Sequence, residues 1–324
     1  MRSLAPVVAA LTLIAASAGA SPATIRVCPD CAVHSLADGL SLLAAGDTLV
    51  LGPGLYHDAG VLNADRVTIK AEPGAHLVGA VAEGKAALVV KGNQTVIEGL
   101  ECSRIRVPDG NGACVRLEGS DLVLRGVNFH DSEQGLLTGP DAGTVVIENS
   151  RFERLGAGGH AHGVYAAECD ALLIRHSVFL SGADQGHEIK SRAARTVIEN
   201  SLVASMDGID SRLVDVPNGG EVVIRNSVLE KGTKSSNGEL IGYGLEGLSH
   251  KVNSLRLEGG TFIIDRRPGH LVHSVVTPEM AGIVVVGGER IDAVTWYPNR
   301  AAAKLPPYPG LPEVGGTGMT NTAP

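Results

Sequence analysis

Aromatic side chains are scarce in this chain of 324 residues: 3% overall, with one Trp, five Tyr and four Phe. Broad Trp or Tyr platforms that hold neutral sugars by stacking are therefore excluded as the main binding device. Basic charge is short as well. With 27 Lys and Arg against 35 Asp and Glu the formal net charge is -8, and -9 without Arg2, which excludes nucleic acid as a partner. Cysteine is limited to Cys28, Cys31, Cys102, Cys114 and Cys169. These do not cluster with His at the spacing of a zinc site, so no metal is expected. Cys28-Pro29-Asp30-Cys31 lacks the βαβ context of a redox C-x-x-C and reads as a local disulfide. The odd count leaves one free thiol, and Cys102 is the residue expected to be buried and free.

Long apolar runs are missing beyond the first residues, so no membrane insertion is expected. Arg2 precedes an apolar run from Leu4 to Ala16, and Ala18-Gly19-Ala20 offers an A-x-A cleavage site. Residues 1–20 are thus expected to be a secretory signal, with no Cys at the cleavage site, and the mature protein periplasmic or secreted. At the other end Pro and Gly crowd the segment from Leu305, and residues 301–324 are expected to be an extended or disordered tail. One domain is expected over residues 21–300.

What fills that domain is a repeat. An apolar residue, a charged residue and then usually Gly, Asn or His recur at the anchors Ile69, Ile97, Leu124, Ile147, Ile174, Ile198, Ile224 and Leu257. The anchors are separated by 28, 27, 23, 27, 24, 26 and 33 residues. Short β runs repeating at that length make one rung of a solenoid. The four Phe residues, Phe129, Phe152, Phe179 and Phe262, each follow their anchor by five. Cys102, Val203 and Leu229 fill the same slot. Rungs stack about 4.8 Å apart, so these side chains become neighbours in the interior.

The residue after each anchor alternates in sign: Lys70, Glu98, Arg125, Glu148, Arg175, Glu199, Arg225, Glu258. A parallel in-register stack sets opposite charges face to face. These eight read as a structural ladder that fixes register. Asn149, Asn200 and Asn226 read as turn residues, since Asn tolerates left-handed backbone and can stack its amides. Ser35 to Ala45 carries Leu36, Leu40, Leu43 and Ala44 at helical spacing and reads as a helix covering the first rung. Gly46-Asp47 ends it, and Thr48-Leu49-Val50-Leu51 is the expected first strand.

The helical cap, the segment from Gly46 to Tyr56 and the rungs together resemble the right-handed parallel β-helix, or pectate-lyase-like, superfamily over about residues 24–290. The segments from Gly186 to Arg192, Asp215 to Gly220 and Gly242 to Gly247 are similar to a group of exported bacterial β-helix repeat proteins. The resemblance implies an all-β parallel β-helix. It also implies one of several activities: polysaccharide lyase, glycoside hydrolase, esterase, epimerase or a non-enzymatic role.

Chemistry is expected where consecutive rungs turn polar. Aligning Gly163-Val164-Tyr165, Glu188-Ile189-Lys190 and Leu213-Val214-Asp215 on the central aliphatics stacks Tyr165, Lys190 and Asp215 outward, because side chains alternate along a strand. By the same alternation Glu188 points outward beside Lys190. His162, His187 and Arg212 then stack at the neighbouring bend, and Arg192 lies on the same side as Lys190. Tyr243 and Glu239 extend this groove, and His160 sits on a loop. An Arg or Lys here would neutralise a uronate carboxylate and acidify the adjacent C–H. A Lys, His or Tyr would take the proton. The expected catalytic residues are Lys190, Arg192, His187 and Tyr165; the expected substrate-binding residues are Arg212, His162, Asp215 and Tyr243. The expected function is a polysaccharide lyase acting by β-elimination on an acidic polysaccharide. A glycoside hydrolase using two of Asp184, Asp207, Asp210 and Asp215, which needs a carboxylate pair about 6.5–9.5 Å apart, is the alternative enzyme. A non-catalytic polysaccharide-binding or assembly protein is the third reading. The Glu188-Ile189-Lys190-Ser191 stretch is similar to a pattern in alginate and dermatan lyases of this fold, but its Glu–Lys spacing is shorter, so a calcium cofactor stays unassigned.

Overall fold

Three parallel sheets of 11, 10 and 9 strands wind into a solenoid. The computed structural model describes residues 21–276, 282–286 and 289–291. The expected leader and tail lie outside the described residues. One rung runs from Thr144–Glu148 to Arg151–Glu153, then to Val164–Ala166, and on to Ala171–Arg175 directly above its start. The first of these strands belongs to the sheet that carries the anchors. The second belongs to the sheet that carries the Phe residues, called here the aromatic sheet. The third strand belongs to the third sheet.

The anchors are the interior of the coil. Ile69, Ile97, Leu124, Ile147, Ile174, Ile198, Ile224 and Leu257 are all buried. Cys102, Phe129, Phe152, Phe179, Val203, Leu229 and Phe262 pair in unbroken register. The rings of Phe152 and Phe179 stack with centroids 4.7 Å apart, and Phe129 meets Phe152 edge-on at 5.5 Å. Outside, the charge ladder forms as expected. Arg125 lies 2.7 Å from Glu98 and 3.4 Å from Glu148, and Arg175 lies 3.5 Å from Glu148 and 2.8 Å from Glu199. At its last step the ladder slackens: Glu258 is in register with Arg225 but meets Arg256 at 2.8 Å.

The third letter of each phrase has a backbone cause. Gly99, Gly126, Asn149, His176, Asn200, Asn226 and Gly259 all have positive φ, between 48° and 71°. This is the left-handed corner that Gly and Asn enter at least cost. One residue further, Ser150, Ser177, Ser201 and Ser227 form a buried hydroxyl ladder. The hydroxyls of Ser150, Ser177 and Ser201 accept backbone N–H groups of the preceding rung at 3.1–3.2 Å, and that of Ser227 accepts Ser201 N–H at 3.2 Å. Each hydroxyl donates to a carbonyl two residues back at 2.8–2.9 Å. The sheet-to-sheet corner thus satisfies polar groups that would otherwise be buried unpaired.

Three expectations are corrected. The helix is only Leu36–Ser41, with Ser35 as its N-cap accepting from Asp38 N–H at 3.0 Å. It stops early because Asp47 accepts the Ala44 N–H at 2.8 Å and turns the chain toward the next strand. The first strand is Thr24–Val27, which precedes the helix and pairs with Thr48–Leu51. Cys102 is not free: it is bonded to Cys114, Cα to Cα 5.8 Å, and the free thiol is Cys169. Cys102 sits in the Phe slot, and Cys114 lies on the third-sheet strand Ala113–Leu117, so the two face each other across the interior of the coil. Cys28 and Cys31 form the expected local disulfide. Burial pushes the Cys169 thiol up to about 12. Among the described residues no helix is long and apolar enough to cross a membrane.

Candidate functional site

In the third sheet the pairing is Leu137 to Tyr165, Tyr165 to Lys190, Lys190 to Asp215, and Asp215 to Gly242. Val164, Ile189 and Val214 are fully buried beside them. Strand alternation therefore puts Tyr165, Lys190 and Asp215 on the outer face. Lys190 Nζ lies 5.5 Å from the Tyr165 ring centroid and 3.8 Å from Asp215 Oδ2. Asp215 is itself largely covered, with Arg212 Nη1 at 3.4 Å and His187 Nε2 at 3.5 Å. Burial pushes its carboxyl above the usual range, and the Arg212 and Lys190 charges pull against that shift.

The bends entering these strands stack as well. The rings of His162 and His187 lie 4.8 Å apart and nearly parallel. His162 Nδ1 accepts the His187 N–H at 3.0 Å, and His187 Nδ1 accepts the Arg212 N–H at 2.9 Å. With Nδ1 an acceptor, each neutral ring carries its hydrogen on Nε2. Burial, first among the causes, lowers His162 to about 3 and holds His187 well below the usual imidazole value. Both rings are neutral struts under the groove, and His162 at 1% exposure does not reach a ligand on the outer surface. Arg212 is tied to Glu239 at 2.7 Å, and His273 meets the same carboxylate at 2.6 Å.

Arg192 is where three distant segments meet. Its Nε donates to the Tyr165 hydroxyl at 2.9 Å. Its Nη1 donates to Asn218 and, at 2.8 Å, to Glu246 Oε2; Nη2 reaches Glu246 Oε1 at 3.2 Å. The two-point pair with Glu246 raises the guanidinium's pKa and lowers that of the carboxyl. Glu246 is half exposed. Sequence reasoning missed Glu246 and Asn218 as partners, although both lie in segments singled out at residues 215–220 and 242–247.

Other expected members fall elsewhere. Tyr243 is fully buried with its hydroxyl donating to Gly220 O at 2.8 Å, because it pairs with inward Val216 while Gly242 takes the outward slot. It does not line the groove. Glu188 is also inside. It lies in the bend before Ile189–Ser191 and accepts the Gly182 N–H at 2.5 Å, and burial, then the Asp210 charge, push its carboxyl well above the usual range. Asp210 is sealed against Lys231 at 3.0 Å, with both side chains at 0% exposure. Asp184 caps Gly158 N–H at 2.7 Å, and exposed Asp207 lies 3.7 Å from Lys234. His160 is exposed, with Nε2 3.1 Å from Asp109 O.

No protein-family model matches the chain, and no curated protein matches it. Solved structures do. An alginate lyase from Paenibacillus sp. str. FPU-7 superposes with a TM-score of 0.61 at 18% identity, over 83% of this chain and 95% of its own. The pectate lyase Pel9A superposes with a TM-score of 0.51 at 15% identity, over 83% of this chain and 79% of its own. The chain has the pectate-lyase-like parallel β-helix fold. At these identities the likeness extends to the fold alone.

Proposed function

We propose that this protein is an exported polysaccharide lyase that cleaves a uronate-containing polymer by β-elimination at the Tyr165–Lys190–Arg192 surface. The observation that carries the reading is the two-point carboxylate already seated on Arg192. Glu246 is half exposed and can yield its place to a uronate carboxylate of the same geometry. Lys190, Arg192 and Arg212 face Asp215, Glu239 and Glu246, so displacing Glu246 takes one negative charge from the surface. An anionic substrate restores the balance. That the two solved structures reported above are an alginate lyase and a pectate lyase favours the same substrate class.

The chemistry follows from charge. Arg192 neutralises the uronate carboxylate and so acidifies the proton at C5. Lys190, as the free amine, takes that proton. Electrons move to form the C4=C5 double bond as the C4–O bond breaks. Tyr165 accepts a hydrogen bond from Arg192 Nε, so its own O–H is left to protonate the departing oxygen. Asp215, His187 and Arg212 position Lys190 from below. The hydrolase reading finds less support, since Asp210 is sealed, and Asp184, Asp207 and Asp215 each have a partner of their own. Ultraviolet absorbance of the unsaturated product, screened over alginate, pectate and other uronate polymers, tests the proposal. Wild type should generate the absorbance and Lys190→Ala should not, at an unchanged melting temperature. Reducing ends without the absorbance would establish a hydrolase, and binding without turnover a non-catalytic protein.

A further inference from the structure

A second constellation lies on the aromatic sheet, away from the groove. His76, Glu101 and His130 belong to the strands Ala75–Val78, Glu101–Ser103 and Asn128–His130 in consecutive rungs. Leu77, Cys102 and Phe129 point inward, so their polar neighbours point out. Register sets His76 beside Glu101 and His130 beside Ser103. One carboxylate oxygen, Glu101 Oε1, lies 3.2 Å from His130 Nε2 and 3.9 Å from His76 Nδ1. One ligand atom from each of the three residues falls within 4.8 Å of the others.

The far side of the His130 ring fixes its tautomer. His130 Nδ1 lies 2.6 Å from Asp131 Oδ2, an acceptor only, so that nitrogen carries the hydrogen. Asp131 is held in turn by Arg154, with Nε on Oδ1 and Nη2 on Oδ2, both at 2.7 Å. His76 Nε2 meets the Ser103 hydroxyl at 2.8 Å. In the neutral ring His130 Nε2 therefore aims a lone pair at the Glu101 carboxylate. His76 Nδ1 does the same in the tautomer in which Nε2 donates to the Ser103 hydroxyl, and three acceptors then converge, an arrangement that a cation resolves. Tetrahedral zinc with bonds of about 2.0–2.1 Å needs ligand atoms a little over 3 Å apart. The two Glu101 separations, 3.2 and 3.9 Å, require closure of less than an ångström, and the two imidazole nitrogens, within 4.8 Å of each other, close by up to about 1.5 Å. Carboxylate support behind a ligating imidazole is the usual second layer of such sites.

We propose that His76, Glu101 and His130 form a binding site for a single divalent transition-metal ion of the zinc type, with water in the fourth position. The ion would tie neighbouring rungs together on the outer face. Sequence spacing hid the site, because the ligands are separated by whole rungs and meet only through register.

The test uses tag-free full chain, stripped with chelator and titrated calorimetrically with Zn2+ alone, then with Co2+ to read geometry. Wild type should bind one ion with a tetrahedral cobalt spectrum, and its melting temperature should rise with added Zn2+. The His76→Ala/His130→Ala double variant should lose both effects while melting like stripped wild type. Asp131→Asn should weaken binding by about 10–100-fold, as loss of an outer partner does elsewhere. Wild type binding no tighter than the double variant, or an octahedral cobalt spectrum like that of the free ion, would overturn the proposal and leave the cluster an ion pair.

Discussion

Replacing Phe152 with Ala removes the middle ring of the interior stack. Phe152 is fully buried, stacked on Phe179 at 4.7 Å and edge-on to Phe129 at 5.5 Å. Burying a Phe side chain contributes about 1.5–3 kcal/mol. Each aromatic contact adds about 0.5–1.5 kcal/mol beyond area. One burial and two contacts give a loss of about 2.5–6 kcal/mol, spanning the range of about 3–5 kcal/mol typical of Phe→Ala in cores. The cavity cannot close easily, because backbone hydrogen bonds hold the rungs on both sides at fixed spacing. Gly135 opposite is no reserve, since a Cβ there would already stand 2.6 Å from the Phe152 ring. The assay is urea denaturation followed by circular dichroism and by tyrosine fluorescence. The two transitions must coincide before a free energy is extracted, because solenoids can unfold in sections. Phe262→Ala, whose neighbour in the slot is Leu229, should cost about 1–3 kcal/mol less, the worth of the two aromatic contacts of Phe152. A loss below about 1 kcal/mol for Phe152→Ala, far under the core range, would refute the interior stack.

On the outer ladder, Arg175→Glu sets a carboxylate between Glu148 and Glu199. Two exposed pairs of about 0.2–1 kcal/mol each turn repulsive, so a thermal melt should show a loss of about 1–2 kcal/mol; adding Glu148→Arg should recover only part, since it then faces Arg125. In the groove, Arg192→Lys keeps the charge but loses the two-point grip, and KM on the uronate polymer should rise about tenfold, equivalent to about 1.4 kcal/mol. An unchanged KM would remove Arg192 from carboxylate binding. The pH dependence follows from the histidine struts. Their folded pKa values lie below the unfolded value, so their stabilisation is full above about pH 6.5 and is lost as pH falls toward the His162 value of about 3. His162→Asn, which keeps an acceptor for the His187 N–H, should flatten the fall of melting temperature over that window. A parallel fall in both proteins would contradict it.

What could be read from sequence is what the rung repeats. The anchor slot, the Phe slot, the charge slot and the left-handed corner recur at fixed offsets, so each supports the others. The serine ladder was equally regular, at three residues past the anchors Ile147, Ile174, Ile198 and Ile224. It went unread because Ser after a turn residue looks like more turn. The groove was legible where three short strands align on Val164, Ile189 and Val214. It was illegible where loops of unequal length enter the third sheet. Residues 154–163, 181–188, 205–213 and 232–238 have no common offset. Glu188, Asp210 and Lys231 are buried from such segments or beside them, and Cys102 finds Cys114 only because the chain crosses from the aromatic to the third sheet between them.

The same inequality explains why the polar groove lies on the third sheet. Corners between the anchor and aromatic sheets from Gly99 to Gly260 are two residues long, one left-handed and one more, which at Ser150, Ser177, Ser201 and Ser227 is a serine bonded to the rung before. Their length does not vary. The loops entering the third sheet are free in length, and free loops on a rigid frame are where reactive groups can be placed. That freedom requires polar groups inside the coil. Lys231 donates to Asp210 Oδ2 at 3.0 Å and to the Ser211 carbonyl, and Ser235 and Ser236 donate to the Asp210 carbonyl at 3.0 and 2.8 Å. These bonds pin the backbone just before Arg212, whose N–H then rests on His187. A buried ion pair adds little net stability against an apolar pair of equal volume. Its value here is positional: it holds the bend from which Arg212 reaches Asp215 and Glu239, and through Asp215 it sets where Lys190 Nζ stands.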